Sequence, residues 1–220
     1  MATLAAAACS YGLPDSIAAT AVGLCFLSFT YWLALRDDDD GERARHFGLS
    51  LGGLLDAQSL SAGRIARSTL RAIGHAVLVA LLVFPLFWIG FAWWWEPRLP
   101  FRFLGLPGPL DEVMGQMLVI ALPEEAFYRG YLQTALDDAF PPRRLLLGAR
   151  VGPGILITSA VFALGHFVTE LDASRLAVFF PSLLFGWLRA RTGGIGAPVL
   201  LHAGSNLFAS FLGRGYGLFQ

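Results

Sequence analysis

The chain has 220 residues, 55% of them hydrophobic and only 15% charged, and its formal net charge is zero. A soluble domain carries about 25% charged residues, so an ordinary water-soluble protein is excluded, and with no basic excess a nucleic-acid surface is excluded too. Eighteen Phe and six Trp suit a chain solvated by lipid.

About 20 apolar residues carry a helix across the hydrocarbon core. In chain order six candidates appear: 16–35, 70–95, 110–136, 154–171, 175–189 and 195–212, of which the fourth and fifth are short and expected to be tilted or partly shielded by protein. The expected fold class is all-α, a polytopic transmembrane helical bundle of about six spans in the lipid bilayer. Before the first span, the alanine-rich stretch up to Cys9 loosely resembles a lipobox, but no positive n-region precedes it. The first span is therefore expected to be a retained anchor. Cys9 and Cys25 have neither disulfide-framework nor metal-type spacing and read as small packing residues.

Between the first two spans lies the one substantial polar connection, 36–67. Its aspartate run, Asp37 to Asp40, reads as a solvated flexible loop rather than a metal site. Further on, Leu51, Leu54, Leu55, Ile65 and Leu70 fall at near-helical spacing beside Arg64, Arg67 and Arg71. That pattern predicts an interfacial amphipathic helix over 49–70 or, equally, a solvated connector. Trp93, Trp94 and Trp95 close the second span where headgroups are expected.

All basic residues are Arg, and they are unevenly placed. Eleven of them, such as Arg36, Arg43, Arg143 and Arg191, lie beside the connections after spans one, three and five, against four on the opposite side (Arg98, Arg102, Arg175 and Arg214). The positive-inside rule places the large connection in the cytoplasm.

The third span carries Glu124, Glu125, Tyr128 and Arg129; the fourth has Thr158, Ser159 and His166; the sixth has His202, Ser205 and Asn206. An ionisable group at the bilayer centre costs about 2.5–3.5 kcal/mol on insertion scales, so such residues mark function by default. Residues four apart share a helix face, which pairs Glu125 with Arg129, Glu124 with Tyr128, Phe162 with His166, and His202 with Asn206. Adjacent residues diverge by about 100°, so Glu124 and Glu125 face different partners. Glu125 with Arg129 reads as a buried ion pair holding helices together, which leaves Glu124 for a cavity.

Hydrolysis needs a base for water and donors for the developing oxyanion. Glu124 suits the base, His166 a group that helps hold the water, and His202 with Asn206 the donors. The alternative is zinc held by Glu124, His166 and His202, although no His-Glu-x-x-His stands in the sequence. A Gly-x-Ser-x-Gly elbow is also missing. A non-catalytic immunity or scaffold protein and a proton- or solute-coupled transporter are the readings from other classes. The transporter would be expected to show internal repeats, which are not evident.

In that order, Glu124-Glu125-x-x-x-Arg129, Phe162-x-x-x-His166 and His202-x-x-x-Asn206 resemble the CAAX-protease and bacteriocin-processing (ABI) family of intramembrane endopeptidases. The resemblance covers about residues 110–212. It implies a catalytic core over 110–220, with 1–109 supplying the first spans and the cytoplasmic connection. It implies Glu124 as water-activating base assisted by His166, His202 and Asn206 on the oxyanion side, and Glu125, Arg129, Tyr128 and Phe162 as support. It implies a glutamate mechanism without a metal cofactor, zinc being the alternative. The implied partner is a membrane-embedded or C-terminally anchored polypeptide; the short chain and its high Ala, Leu and Arg content suggest a bacterial member, so the expected location is a bacterial inner membrane. A sorting-type (myxosortase- or exosortase-like) role is one expectation among several.

Overall fold

The computed structural model describes residues 1–55, 59–104 and 110–218. Among the described residues the fold is all-α, as expected, apart from one small hairpin. Helix α1 (Ala2–Gly12) precedes α2 (Asp15–Thr30), which runs on through a wide π turn over Tyr31–Leu35. A short helix α3 (Glu42–His46) follows, and then α4 (Ala62–Trp95), 34 residues long. The third span is continuous over 110–139 but changes its winding repeatedly. Helix α5 (Leu110–Met114) and a π segment (Gly115–Ala121) lead to α6 (Leu122–Glu125), a second π segment (Ala126–Leu132) and α7 (Gln133–Ala139). Strands β1 (Arg144–Leu146) and β2 (Ala149–Val151) form an antiparallel hairpin. Helices α8 (Pro153–Glu170), α9 (Phe179–Thr192) and α10 (Gly196–Gly215) complete the bundle, with a 3-10 turn (Ala173–Val178) before α9.

Among the described residues, three helices are long and apolar enough to cross a membrane by length and composition: Ser16–Leu35, Ala62–Trp95 and Pro153–Glu170. The other three expected spans are helices of a different character. The 110–139 helix carries Glu124, Glu125 and Arg129; α9 has only 14 residues; α10 has 20 but bears His202, Ser205 and Asn206. These three are shielded by protein: their inward faces include Glu125, Arg129, Ser182, Leu188 and Leu201, all buried. Lipid-facing α4 is the opposite case, with Leu70, Leu78, Leu81, Leu82 and Ile89 exposed.

The polar connection carries more local structure than a bare loop, although its aspartates are largely exposed. Its aspartates are used locally: the Asp38 carboxylate accepts from the Arg43 and Ala44 amides, and Asp40 accepts from Glu42, so the run caps α3. Beyond α3, Phe47 and Leu49 are buried in a core cluster with Ala126, Ile195 and Val199. Of the two readings of 49–70, a separate interfacial helix is not found among the described residues, and the connector is the one that fits. Residues 51–55 are turns, with Leu51, Gly52 and Gly53 at positive φ, and Arg64 to Leu70 are simply the first turns of α4. Residues 56–58 of that stretch lie outside the described ones. Ser61 caps α4 by accepting from the Arg64 amide, and this stop-and-start chemistry overrides the helical periodicity seen across it.

The hairpin over 144–151 was not anticipated from hydropathy. Leu147 and Gly148 both take positive φ, which a two-residue hairpin turn of the primed type requires.

Candidate active site

Pro123 cannot donate a helix hydrogen bond, and the helix around it is wound wide on both sides of the short α6. Such π segments recur at functional sites because they re-aim side chains. Helix α2 comes close at Gly23, where a Cβ would stand 2.6 Å from the Val119 carbonyl oxygen and 3.3 Å from Pro123.

One face of the 110–139 helix is polar and fully buried. Glu125 Oε1 accepts from Arg129 Nη1 at 3.1 Å, and neither side chain has solvent exposure. Arg129 Nη2 donates to Ser182 Oγ at 2.6 Å and to the Ser182 carbonyl at 3.3 Å, while its guanidinium lies 4.5 Å from the Phe162 ring centre and 5.2 Å from that of Phe185. One turn on, Gln133 Nε2 donates to the Gly186 carbonyl at 3.1 Å. This four-residue ladder ties the helix to α9.

The Glu125–Arg129 pair is as the spacing predicts, but Glu125 has a further partner. Its Oε1 also accepts from His202 Nδ1 on α10 at 2.8 Å. The His202 ring is stacked on Phe185 (5.0 Å between centres, 13° between planes) and meets Phe162 edge-on at 5.9 Å. Its position is therefore set by one hydrogen bond and two aromatic walls. The other ring nitrogen, Nε2, lies 3.9 Å from Glu124 Oε2. That carboxylate oxygen is buried and has no hydrogen-bond partner.

His166 Nδ1 donates to the Phe162 carbonyl at 3.1 Å, which leaves Nε2 with the lone pair. Asn206 Nδ2 donates to Gln116 Oε1 at 2.9 Å. Tyr128 is buried, its hydroxyl 3.4 Å from Thr3 Oγ1 of α1. All these side chains share one cavity of about 1370 Å³: Glu124, Tyr128, Phe162, His166, His202 and Asn206 line it, with Gln116 beside them. Glu125 and Arg129 are absent from its wall and lie behind it.

Three contributors escaped the sequence reading. Gln116 lies near the start of the third span, eight residues before Glu124, and Ser182 and Phe185 lie in a segment that reads as plainly apolar. The only signal for Ser182 was a hydroxyl within a Phe-rich helix; for Gln116 it was an amide within a span.

The zinc alternative needs Glu124, His166 and His202 on one ion. They line the same cavity, yet among the described residues no three His, Cys, Asp or Glu side chains are grouped as a metal ion requires. The arrangement offers a carboxylate with an unpartnered oxygen, two imidazoles and a side-chain amide, with His202 and Asn206 held from behind by Glu125 and Gln116.

Residues 108–208 match the protein family described as type II CAAX prenyl endopeptidase Rce1-like. Neither a curated protein nor a solved structure matches the chain. The matched segment contains every one of the cavity's polar residues from Gln116 to Asn206. Over residues 108–208, a little under half of the chain, it is similar to the Rce1-like type II CAAX prenyl endopeptidases, a family of integral membrane peptide hydrolases.

Proposed function

We propose that this protein is an intramembrane endopeptidase in which Glu124 activates water against a peptide bond of a membrane-associated polypeptide. The observation that carries the reading is the pairing across the cavity wall: an unpartnered Glu124 oxygen 3.9 Å from the Nε2 of a histidine that is itself fixed from behind.

Glu124 takes a proton from the attacking water, while His166 Nε2 accepts a hydrogen bond from the other O–H, which stays on the water oxygen, and so orients its lone pair. The water oxygen bonds to the carbonyl carbon, whose π electrons move onto oxygen. His202 Nε2–H and the second N–H of Asn206 then donate to that oxyanion. Glu124 passes its proton to the leaving nitrogen as the C–N bond breaks, and the tetrahedral intermediate collapses to the acid.

His202 donates through Nδ1 to Glu125, so it can donate through Nε2 as well only as an imidazolium. Glu125 is thus the positioning residue for His202, and Arg129 for Glu125.

Reconstituted protein with an identified substrate tests the mechanism. Glu124→Gln should lose about 10²–10⁴-fold in rate while inserting normally. Full activity after exhaustive chelation supports the glutamate route; activity lost to chelation and restored by zinc would contradict it. Retained full cleavage by Glu124→Gln would sink the reading altogether.

A further inference from the structure

We propose that the cavity is a one-ended well opening on the extracytoplasmic face, so that the polypeptide it takes is an outward-facing or exported segment rather than a cytoplasmic tail. The nature of the occupant rests on the peptidase reading; the direction of opening rests instead on the helix geometry and the placement of the arginines.

Hydrogen bonds sort the helix ends into two poles. At the first, His46, soon after α2, meets Asp138 at the end of α7, and Arg189 near the end of α9 donates to the His46 carbonyl. Ile195, just before α10, donates to the Gly48 carbonyl, and Arg71 in α4 donates to Arg191. At the second pole, Tyr11 at the end of α1 donates to Val168 near the end of α8. Arg214 at the end of α10 pairs with Glu112 in α5, and Trp88 late in α4 donates to Tyr216. The six long segments therefore alternate in direction.

Each of them gives the cavity only its stretch nearer the second pole. Helix α2 lines it between Ala18 and Phe26 but not beyond, and α4 between Val83 and Gly90 although it begins at Ala62. The third helix contributes from Gln116 to Tyr128, stopping short of Gln133. Helix α8 lines it only from Phe162 to Glu170, and α9 only from Phe180 to Phe185. Helix α10 lines it from Leu201 to Ser210. Toward the first pole the floor is shut by buried bonds, Arg129 to Ser182 and Gln133 to Gly186, with Leu188 and Ile195 fully packed below. The mouth carries Ser10, Thr169 and the Glu170–Arg175 ion pair, a water-compatible rim.

Sidedness follows from the arginines. Eleven gather at the first pole and four at the second, which places the closed floor in the cytoplasm and the mouth outside. A water-filled well reaching Glu124 from outside also supplies the hydrolytic water.

Thiol labelling in intact cells decides this. In a Cys9→Ala/Cys25→Ala background, Ser10→Cys and Thr169→Cys each place one thiol at the rim, and Asp39→Cys places one on the first-pole connection. With a membrane-impermeant maleimide, the two rim variants are expected to label in intact spheroplasts and Asp39→Cys only after permeabilisation. The reverse pattern overturns the orientation. Ser205→Cys, on the well's wall, is expected to label from outside and not in inside-out vesicles; equal labelling from both faces overturns the one-ended well. Labelling needs no turnover, so the same pattern is expected with Glu124→Gln added, and a failed protease assay leaves this result standing on its own.

Discussion

A single oxygen of Glu125 serves two partners: Oε1 accepts from His202 Nδ1 at 2.8 Å and from Arg129 Nη1 at 3.1 Å. The ion pair that spacing alone suggests is thereby also the support of a cavity-lining histidine. The chain of contacts runs from α10 through the third helix to Ser182 on α9, so helix packing and site geometry depend on the same buried atoms.

Breaking that chain should therefore damage fold and chemistry together. Arg129→Met leaves Glu125 buried with His202 as its remaining partner, and breaking a buried pair in this way costs about 3–5 kcal/mol. Thermal unfolding in detergent should show a large fall in midpoint. Glu125→Gln takes the carboxylate from Arg129, and is expected to lower cleavage as well as stability. A Glu125→Gln protein with unchanged stability and rate would show that the pair does neither job.

Gln116 acts through Asn206, whose amide it holds at 2.9 Å. Gln116→Ala should lower kcat with KM nearly unchanged, because the orientation of an oxyanion donor matters most in the transition state. The loss should fall below the roughly 10²–10³-fold that removal of such a donor itself costs. Steady-state kinetics of Gln116→Ala beside Asn206→Ala separates these; a change confined to KM would assign Gln116 to substrate binding instead.

Gly186 is a packing constraint. A Cβ there would lie 2.9 Å from both Gln133 Oε1 and Ile155 Cγ2, so Gly186→Ala must push α9 away from the polar ladder. The expected cost is about 1–3 kcal/mol, typical of overpacking. Equilibrium unfolding measures it, and a neutral result would mean that the ladder is loose.

Much of this was legible in the sequence because membranes punish polar groups. Glu124, Glu125, Arg129, His166, His202 and Asn206 stood out against apolar helices, and helical spacing separated Glu124 from Glu125 before any coordinates. Partners across helices were not legible. Nothing in the spacing says that Glu125 reaches His202, 77 positions away, or that Ser182 receives Arg129, since hydropathy records burial and not contact. The 49–70 stretch left its two readings open because its leucine spacing runs across a break. Leu49 is drawn into the core against Gly130, where a Cβ would meet its Cδ2 at 2.6 Å, and the glycines at 52 and 53 turn the chain before Ser61 restarts it.

The central claim is that Glu124 is the base of a peptide-cleaving site. The most direct measurement compares the C-termini of membrane-associated proteins, by mass spectrometry, in cells carrying the wild-type chain and in cells carrying Glu124→Gln at equal membrane abundance. The account predicts a defined set of truncated C-termini that is present with wild type and missing with the variant. An identical set of C-termini in both would contradict it.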